Sequence, residues 1–179
     1  MSRIYGESRQ LGMVVHDIDE GMRAASELMG IGPFFIMREV RPEWFKYRGA
    51  DSPPPLLSLA FAFSGPMQLE LIQQHDDAPS AYKEFIDRGR QGPQHLSSWA
   101  KTHEEYDAAR ASALETNPVI IHEGQLGPGR FAYFDTVEPA LGLCFEIAEG
   151  LIPEYAELTA NMQSSSSNWD GIDPVRGFV

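Results

Sequence analysis

Four polar side chains stand at matched places in two similar stretches of this sequence. Gln10 comes just before the run Leu11-Gly12-Met13-Val14-Val15, and His95 just before Leu96 to Ala100. Glu70 lies in Leu69-Glu70-Leu71 and Glu146 in Phe145-Glu146-Ile147, each a carboxylate between two bulky apolar residues. Successive side chains of a strand point to opposite faces, so each glutamate is directed away from the face its neighbours form. A carboxylate buried there without a partner is costly. Two carboxylates balance a divalent charge, and one imidazole with one amide completes a nitrogen and oxygen donor set with positions left for a substrate. If the two stretches pack about a pseudo-twofold axis, Gln10, Glu70, His95 and Glu146 converge from four strands on one divalent ion. Taken singly, each has a plainer reading: a polar residue at a strand start, a hydrogen-bonded histidine, or a glutamate on a solvent-facing sheet. The conjunction at matched places favours the metal site.

The elements that must position these residues repeat in order. In the first half, Leu11 to Val15 reads as a strand, and Asp17 or Asp19 as the N-cap of a helix over Glu20–Met29 with Met22, Ala25, Leu28 and Met29 near helical spacing. Gly30-Ile31-Gly32-Pro33 stops that helix. Phe34 to Met37 reads as a strand, residues 39–55 with their four prolines as a long loop, and Leu56 to Phe63 and Met67 to Ile72 as two strands joined by Ser64-Gly65-Pro66. In the second half, Leu96 to Ala100 is a strand. Thr102 and Glu105 form a capping box, and a helix runs to about Leu114 with Tyr106, Ala109 and Ala113 on one face, ended by Asn117-Pro118. Val119 to Ile121, Arg130 to Phe134 and Leu143 to Ala148 are strands, with a loop from Gly124 to Gly129. Each half is thus strand, helix, three strands. The expected division is a module over 8–73, a second over 92–150, and a C-terminal part over 151–179 made of a short helix, Glu154 to Met162, and a flexible run at Ser164 to Ser167.

The remaining reactive side chains fit this pattern less well. His16, His75, His103 and His122 lie off it; His103 is expected in solvent, and His75 and His122 at strand or loop edges within reach of a substrate. Arg130 follows Gly127-Pro128-Gly129 and reads as a surface ion pair, or as a contact to a substrate anion. The glycine-rich run before it lacks the Lys-Ser/Thr ending of a phosphate loop. Trp44, Phe45 and Tyr47 are expected either to cover a pocket or to pack a loop. Cys144 is expected to be structural.

Composition narrows the function classes. The chain has 179 residues, 42% of them hydrophobic and 11% aromatic, enough for a packed core. The formal net charge is −12, and Arg88-Gly89-Arg90 is too small to make a basic patch, so no nucleic-acid partner is expected. No run of about 18 apolar residues occurs and the first residues lack a secretion-signal core, so no membrane partner is expected either. One cysteine permits no intrachain disulfide, and the cytoplasm is the expected compartment.

Several segments resemble one known family. Arg9 to Ile18 looks like the opening motif of vicinal-oxygen-chelate proteins, as do Gln68-Leu69-Glu70-Leu71-Ile72 and Gly92-Pro93-Gln94-His95-Leu96; Phe131 to Asp135, leading to Phe145-Glu146-Ile147, looks like their closing motif. The resemblance covers about residues 8 to 150. It implies an α+β fold in which two tandem βαβββ modules form a curved mixed sheet around a metal site, and a homodimer, to which sheet edges left by paired modules also point. Glyoxalase I and methylmalonyl-CoA epimerase of that family take one ligand from each of four such strands, which maps onto Gln10, Glu70, His95 and Glu146. The Gln, Glu, His, Glu set resembles the zinc-type glyoxalase I, whereas epimerases usually have His first and Gln second. The ion itself (Zn, Ni, Co, Mn or Fe) and the within-chain or between-chain location of the site stay open. The implied activity is an isomerase or lyase moving a proton next to the carbonyl of a small-molecule substrate, with Glu146 as first choice of base and Glu70 as second. The alternatives are an iron-dependent ring-cleaving dioxygenase, which would want two histidines, and a non-catalytic small-molecule binder, which would not need four ligands.

Overall fold

The computed structural model describes residues 2–116, 119–135 and 138–178. In chain order the elements are β1 (Ser8–Val14), α1 (Ile18–Met29), β2 (Phe34–Val40), β3 (Trp44–Tyr47), β4 (Ala50–Asp51), β5 (Leu57–Ser64), β6 (Met67–Gln74), α2 (Ala81–Asp87), β7 (Gly92–Trp99), α3 (His103–Thr116), β8 (Ile120–Leu126), β9 (Gly129–Phe134), α4 (Glu138–Leu141), β10 (Cys144–Ala148), α5 (Pro153–Ser167) and β11 (Val175–Gly177).

The strands form one curved, open mixed sheet in the order β11-β2-β5-β6-β1-β7-β10-β9-β8-β3-β4. Its centre is the antiparallel pair of β1 and β7. Outward from that pair the two halves are laid out alike: β6 is parallel to β1 as β10 is parallel to β7, and two further antiparallel strands follow on each side. The expected α+β class and curved mixed sheet are therefore the observed architecture.

Alternation decides which layer each strand residue joins. On one side of the sheet, Ile18, Met22 and Ala25 of α1 pack on Ala60, Ala62 and Leu71, while Tyr106 and Ala113 of α3 pack on Phe134, Phe145 and Ile147. On the other side, Leu57, Leu59, Ile72, Ile121 and Tyr133 gather with Tyr82 and Phe85 of α2. The helix starts follow their caps. Asp17 Oδ1 accepts from the Asp19 and Glu20 amides, at 2.9 and 3.0 Å. At α3, Thr102 Oγ1 accepts from Glu105 N at 3.1 Å, and the Glu105 carboxylate accepts in turn from Lys101 N at 2.8 Å. Gly30 closes α1 at φ 67°, a left-handed conformation that costs other residues more.

Several expectations need correction. The stretch 39–55 is not wholly loop: β3 lies in it and crosses to the far half to pair with β8, a non-local pairing that proline counts do not reveal. The stretch between the two expected modules, for which no element is expected, holds α2, capped by Ser80 Oγ accepting from Lys83 N at 2.9 Å. Gln10 and His95 lie inside β1 and β7 rather than before them. Of the loop expected from Gly124 to Gly129, residues 124–126 end β8 and Gly129 begins β9, so the turn is Gly127-Pro128 alone. Leu28 and Met29 are exposed, because only the 18-22-25 face of α1 meets the sheet. Ser164 to Ser167, expected to be flexible, are helical within α5, and Ser166 Oγ accepts from Phe63 N at 3.1 Å; beyond them β11 pairs with β2. Asn117 and Pro118, expected to end the second helix, lie outside the described residues. No helix among the described residues is long and apolar enough to cross a membrane.

Candidate metal centre

The β1–β7 pairing brings the four sequence-selected side chains together within one chain. Gln10 stands opposite Ser97, and Gly12 opposite His95, so each donor faces a small residue across the pair. The parallel neighbours set Glu70 beside Gly12 and Glu146 beside Ser97. All four side chains are buried, His95 completely. His95 Nε2 lies 3.4 Å from Glu70 Oε2 and 3.6 Å from Glu146 Oε2. Gln10 Nε2 donates to Gln68 Oε1 at 2.7 Å, which leaves its amide oxygen outside that bond.

Gly12 is a packing requirement. A Cβ built there would stand 1.7 Å from His95 Cε1 and 2.2 Å from Nε2, inside the imidazole itself. The ring is oriented from behind. His95 Nδ1 lies 2.8 Å from Gln94 Oε1, and the Gln94 amide nitrogen points at Cys144 Sγ at 3.5 Å. An amide oxygen only accepts, so the proton sits on Nδ1 and Nε2 presents its lone pair to the carboxylates. Metal-ligating histidines are commonly held this way.

Burial dominates the electrostatics. It pushes the Glu70 carboxyl up to about 8. It pushes Glu146 up to about 7, where attraction to His95 and hydrogen bonds from Ser97 and Tyr133 pull down while repulsion from Glu70 pushes up. Burial also lowers His95, against the pull of Glu146. Three groups that resist charge share one buried point, and among the described residues no lysine or arginine offsets the charge of either glutamate.

Among the described residues, no group of three or more His, Cys, Asp and Glu side chains stands placed to hold a metal ion. The arrangement is a pairwise approach of His95 to each carboxylate, with an amide as fourth donor. It fits a divalent cation by its chemistry: a lone pair fixed by its tautomer, two carboxylates short of positive charge, and a neutral amide oxygen.

Two tyrosines belong to this centre and were not singled out in the sequence. Tyr82 of α2 donates to Tyr133 Oη at 3.0 Å, and Tyr133 Oη lies 3.3 Å from His95 Nε2. Having accepted from Tyr82, the Tyr133 hydroxyl is left to donate inward. The signal for Tyr133 was its pairing with Glu146 across β9 and β10. Tyr82 had no such signal, since it lies on α2 between the two repeated stretches.

The other candidates fall elsewhere. His122 is fully buried in β8, its Nδ1 accepting from Ala81 N at 3.1 Å and its ring packed on Tyr133. His16 is exposed, and His75 bonds Ser58. His103 is exposed yet bonded to Glu149 at 2.7 Å. Arg130 pairs with buried Glu149 at 2.6 Å and with Asp107 at 2.8 Å. Phe45 packs against His122, Trp44 bonds Gln125, and Tyr47 bonds Glu84. A cavity of about 370 Å³ opens over the centre, with Gln10, Glu70, Glu146 and Tyr133 in its lining.

A curved sheet built from two alike halves, with Gln10, Glu70 and Glu146 lining one cavity, defines the class. The model of the glyoxalase/bleomycin resistance protein/dioxygenase superfamily matches residues 9–134, and the chain belongs to that superfamily. Among solved structures it is similar to a methylmalonyl-CoA epimerase of Streptomyces coelicolor in complex with 2-nitronate-propionyl-CoA, at 14% identity and TM-score 0.54, over 79% of this chain and 92% of that one. It is similar also to the methylmalonyl-CoA epimerase of Mycobacterium tuberculosis, at 14% identity and TM-score 0.52, over 88% and 96%. A hypothetical protein of Bacillus halodurans aligns at 16% identity and TM-score 0.52, over 79% and 92%. At these identities the likeness is one of fold. No curated protein matches the chain.

Proposed function

We propose that this protein is a divalent-metal-dependent isomerase or lyase that moves a proton next to a substrate carbonyl. The observation that carries the reading is the convergence on His95 Nε2 of two buried carboxylates that no lysine or arginine offsets among the described residues. Gln10, Glu70, His95 and Glu146 would hold the ion. When bound, a divalent ion supplies Lewis-acid stabilisation of charge developing on a carbonyl oxygen.

The chain's own residues carry the rest. Glu146 would take the α-proton, and its carboxyl, raised to about 7 mainly by burial, lies near the operating pH of a general base. Glu70 is the alternative base. The Tyr133 hydroxyl, backed by Tyr82, donates toward the same point and steadies an oxygen there. The mainly apolar cavity walls would surround the reacting carbon. A ring-cleaving oxygenase centre asks for a second imidazole, and His122, the other fully buried one among the described residues, stands behind Tyr133 with one nitrogen committed to Ala81.

The test is exchange of the substrate's α-proton with solvent deuterium, in a candidate 2-acyl thioester or α-hydroxycarbonyl compound. Exchange should require divalent metal and stop on chelation; exchange that survives chelation would refute the reading. We further infer a homodimer in the cytoplasm, in line with the open sheet edges and a single, buried cysteine. Light scattering at micromolar concentration should give about twice 20.0 kDa, and a 20.0 kDa species alone would count against it.

A further inference from the structure

The cavity above the centre carries information about the substrate that the four donors do not. Leu57, Leu59 and Phe61 of β5 line one side and Phe131 of β9 another. Leu158 and Met162 of α5, with Phe178 beyond β11, add apolar surface from the C-terminal segment. That segment is fastened to both halves of the sheet. Tyr155 Oη donates to the Leu126 carbonyl at 2.8 Å, while Phe63 N donates to Ser166 Oγ at 3.1 Å. Phe178 packs its ring on Phe35 and Phe61, with centroids 6.1 and 5.9 Å away. Gly129 lets α5 approach, since a Cβ there would meet the Tyr155 ring at 2.6 Å.

Charge is as informative as shape. Among the described residues lining the cavity, Arg130 is the one cationic side chain. Its guanidinium is committed to Glu149 and Asp107 and lies 4.5 Å over the Tyr106 ring. Burial pushes Glu149 up, but hydrogen bonds from Arg130 and His103 outweigh it and hold the carboxyl below the usual range, so the Arg130–Glu149 pair is internally neutral. The other charged lining residues are Glu70 and Glu146. A divalent ion would bring that floor to about neutrality, leaving no positive field for phosphates, and the whole chain is at −12.

We propose that the site takes a compact, uncharged, mainly apolar carbonyl compound, aromatic or alicyclic, and not a nucleotide-bearing thioester. A cavity of about 370 Å³ with three phenylalanines in its lining suits a single ring system, whose desolvation is favourable there. A polyanion would meet carboxylates and a cation already neutralised. This rests on the reading of the metal centre given above and adds the substrate class.

The experiment is calorimetric titration of metal-loaded protein with two probes: 2-hydroxyacetophenone, an uncharged aromatic hydroxyketone, and methylmalonyl-CoA. The expected result is saturable binding of 2-hydroxyacetophenone and none of methylmalonyl-CoA at millimolar concentration. Leu158→Arg, at a half-buried position of α5, puts a charge into the cavity and should weaken the hydroxyketone by roughly tenfold or more. Leu28→Arg, at an exposed position of α1, should not change it. Tighter binding of methylmalonyl-CoA, no binding of the hydroxyketone, or wild-type affinity in Leu158→Arg would each overturn the proposal. The outcome separates from that of the metal reading: failure to bind by protein with full metal content strikes the substrate class alone. Protein that takes up no metal strikes the centre, while the apolar cavity should still admit the hydroxyketone.

Discussion

The two halves of the sheet share a backbone plan and differ in chemistry. On the first side, Gln10 is bonded to Gln68 across β1 and β6, and Glu70 is governed by burial alone. On the second side, His95 is oriented by Gln94, and Glu146 takes hydrogen bonds from Ser97 and Tyr133 beside the imidazole. The first carboxyl is pushed up to about 8 and the second to about 7. Repeating a fold therefore reproduces positions, while the neighbours of each position decide its acidity. One half supplies an amide and a weakly supported carboxyl, the other an oriented imidazole and a carboxyl with partners.

That difference is sharpest in catalysis. Glu146→Gln keeps the shape and removes the base, so exchange of the α-proton should fall by about a hundredfold or more. Glu70→Gln should lose less. The measurement is deuterium incorporation in metal-loaded variants, and wild-type exchange in Glu146→Gln would move the base to Glu70.

Metal affinity should divide the halves next. His95→Ala removes the oriented donor and should weaken binding by roughly tenfold or more. Gln10→Ala removes a neutral amide and should cost less. Metal content after dialysis against a graded chelator would compare them, and equal losses would erase the distinction.

The smallest effect concerns stability of metal-free protein. Both carboxyls have folded pKa values above the unfolded 4.5, so each favours folding at low pH and loses that contribution as pH rises toward 7 to 8. The two buried imidazoles act in the opposite sense. His95 is lowered and His122 lowered to about 3, both mainly by burial, so their contribution is present above 6.5 and lost as pH falls. The two trends oppose each other between about 4.5 and 6.5. Above 6.5 the two carboxyls remain in play, joined in the same sense by exposed His103, which its bond to Glu149 raises, and the carboxyls alone should cost metal-free protein about 2 kcal/mol between pH 6.5 and 8. Thermal denaturation would show the midpoint falling over that window. Added divalent ion should reverse the fall, and Glu70→Gln should flatten it more than Glu146→Gln.

The sequence by itself marked out a repeated order of strand, helix and three strands, and offered Gln10, Glu70, His95 and Glu146 as candidate ligands. Local rules suffice for this: alternation in Leu69-Glu70-Leu71 and Phe145-Glu146-Ile147, the Asp17 and Thr102 caps, and the glycine and proline stops. Tertiary structure decided what depends on contacts between distant residues. The strand at Trp44–Tyr47 exists because β8 offers it an edge 75 or more residues along the chain. Ser164–Ser167 are helical because α5 lies over the cavity and is tied to β5, a burial that their composition does not announce. Tyr82 reaches the centre from a helix hidden in an apparent linker. Only pairing β1 with β7 within the same chain sets Gly12 against His95 and makes room for the imidazole, since a register is a relation between two segments and neither carries it alone.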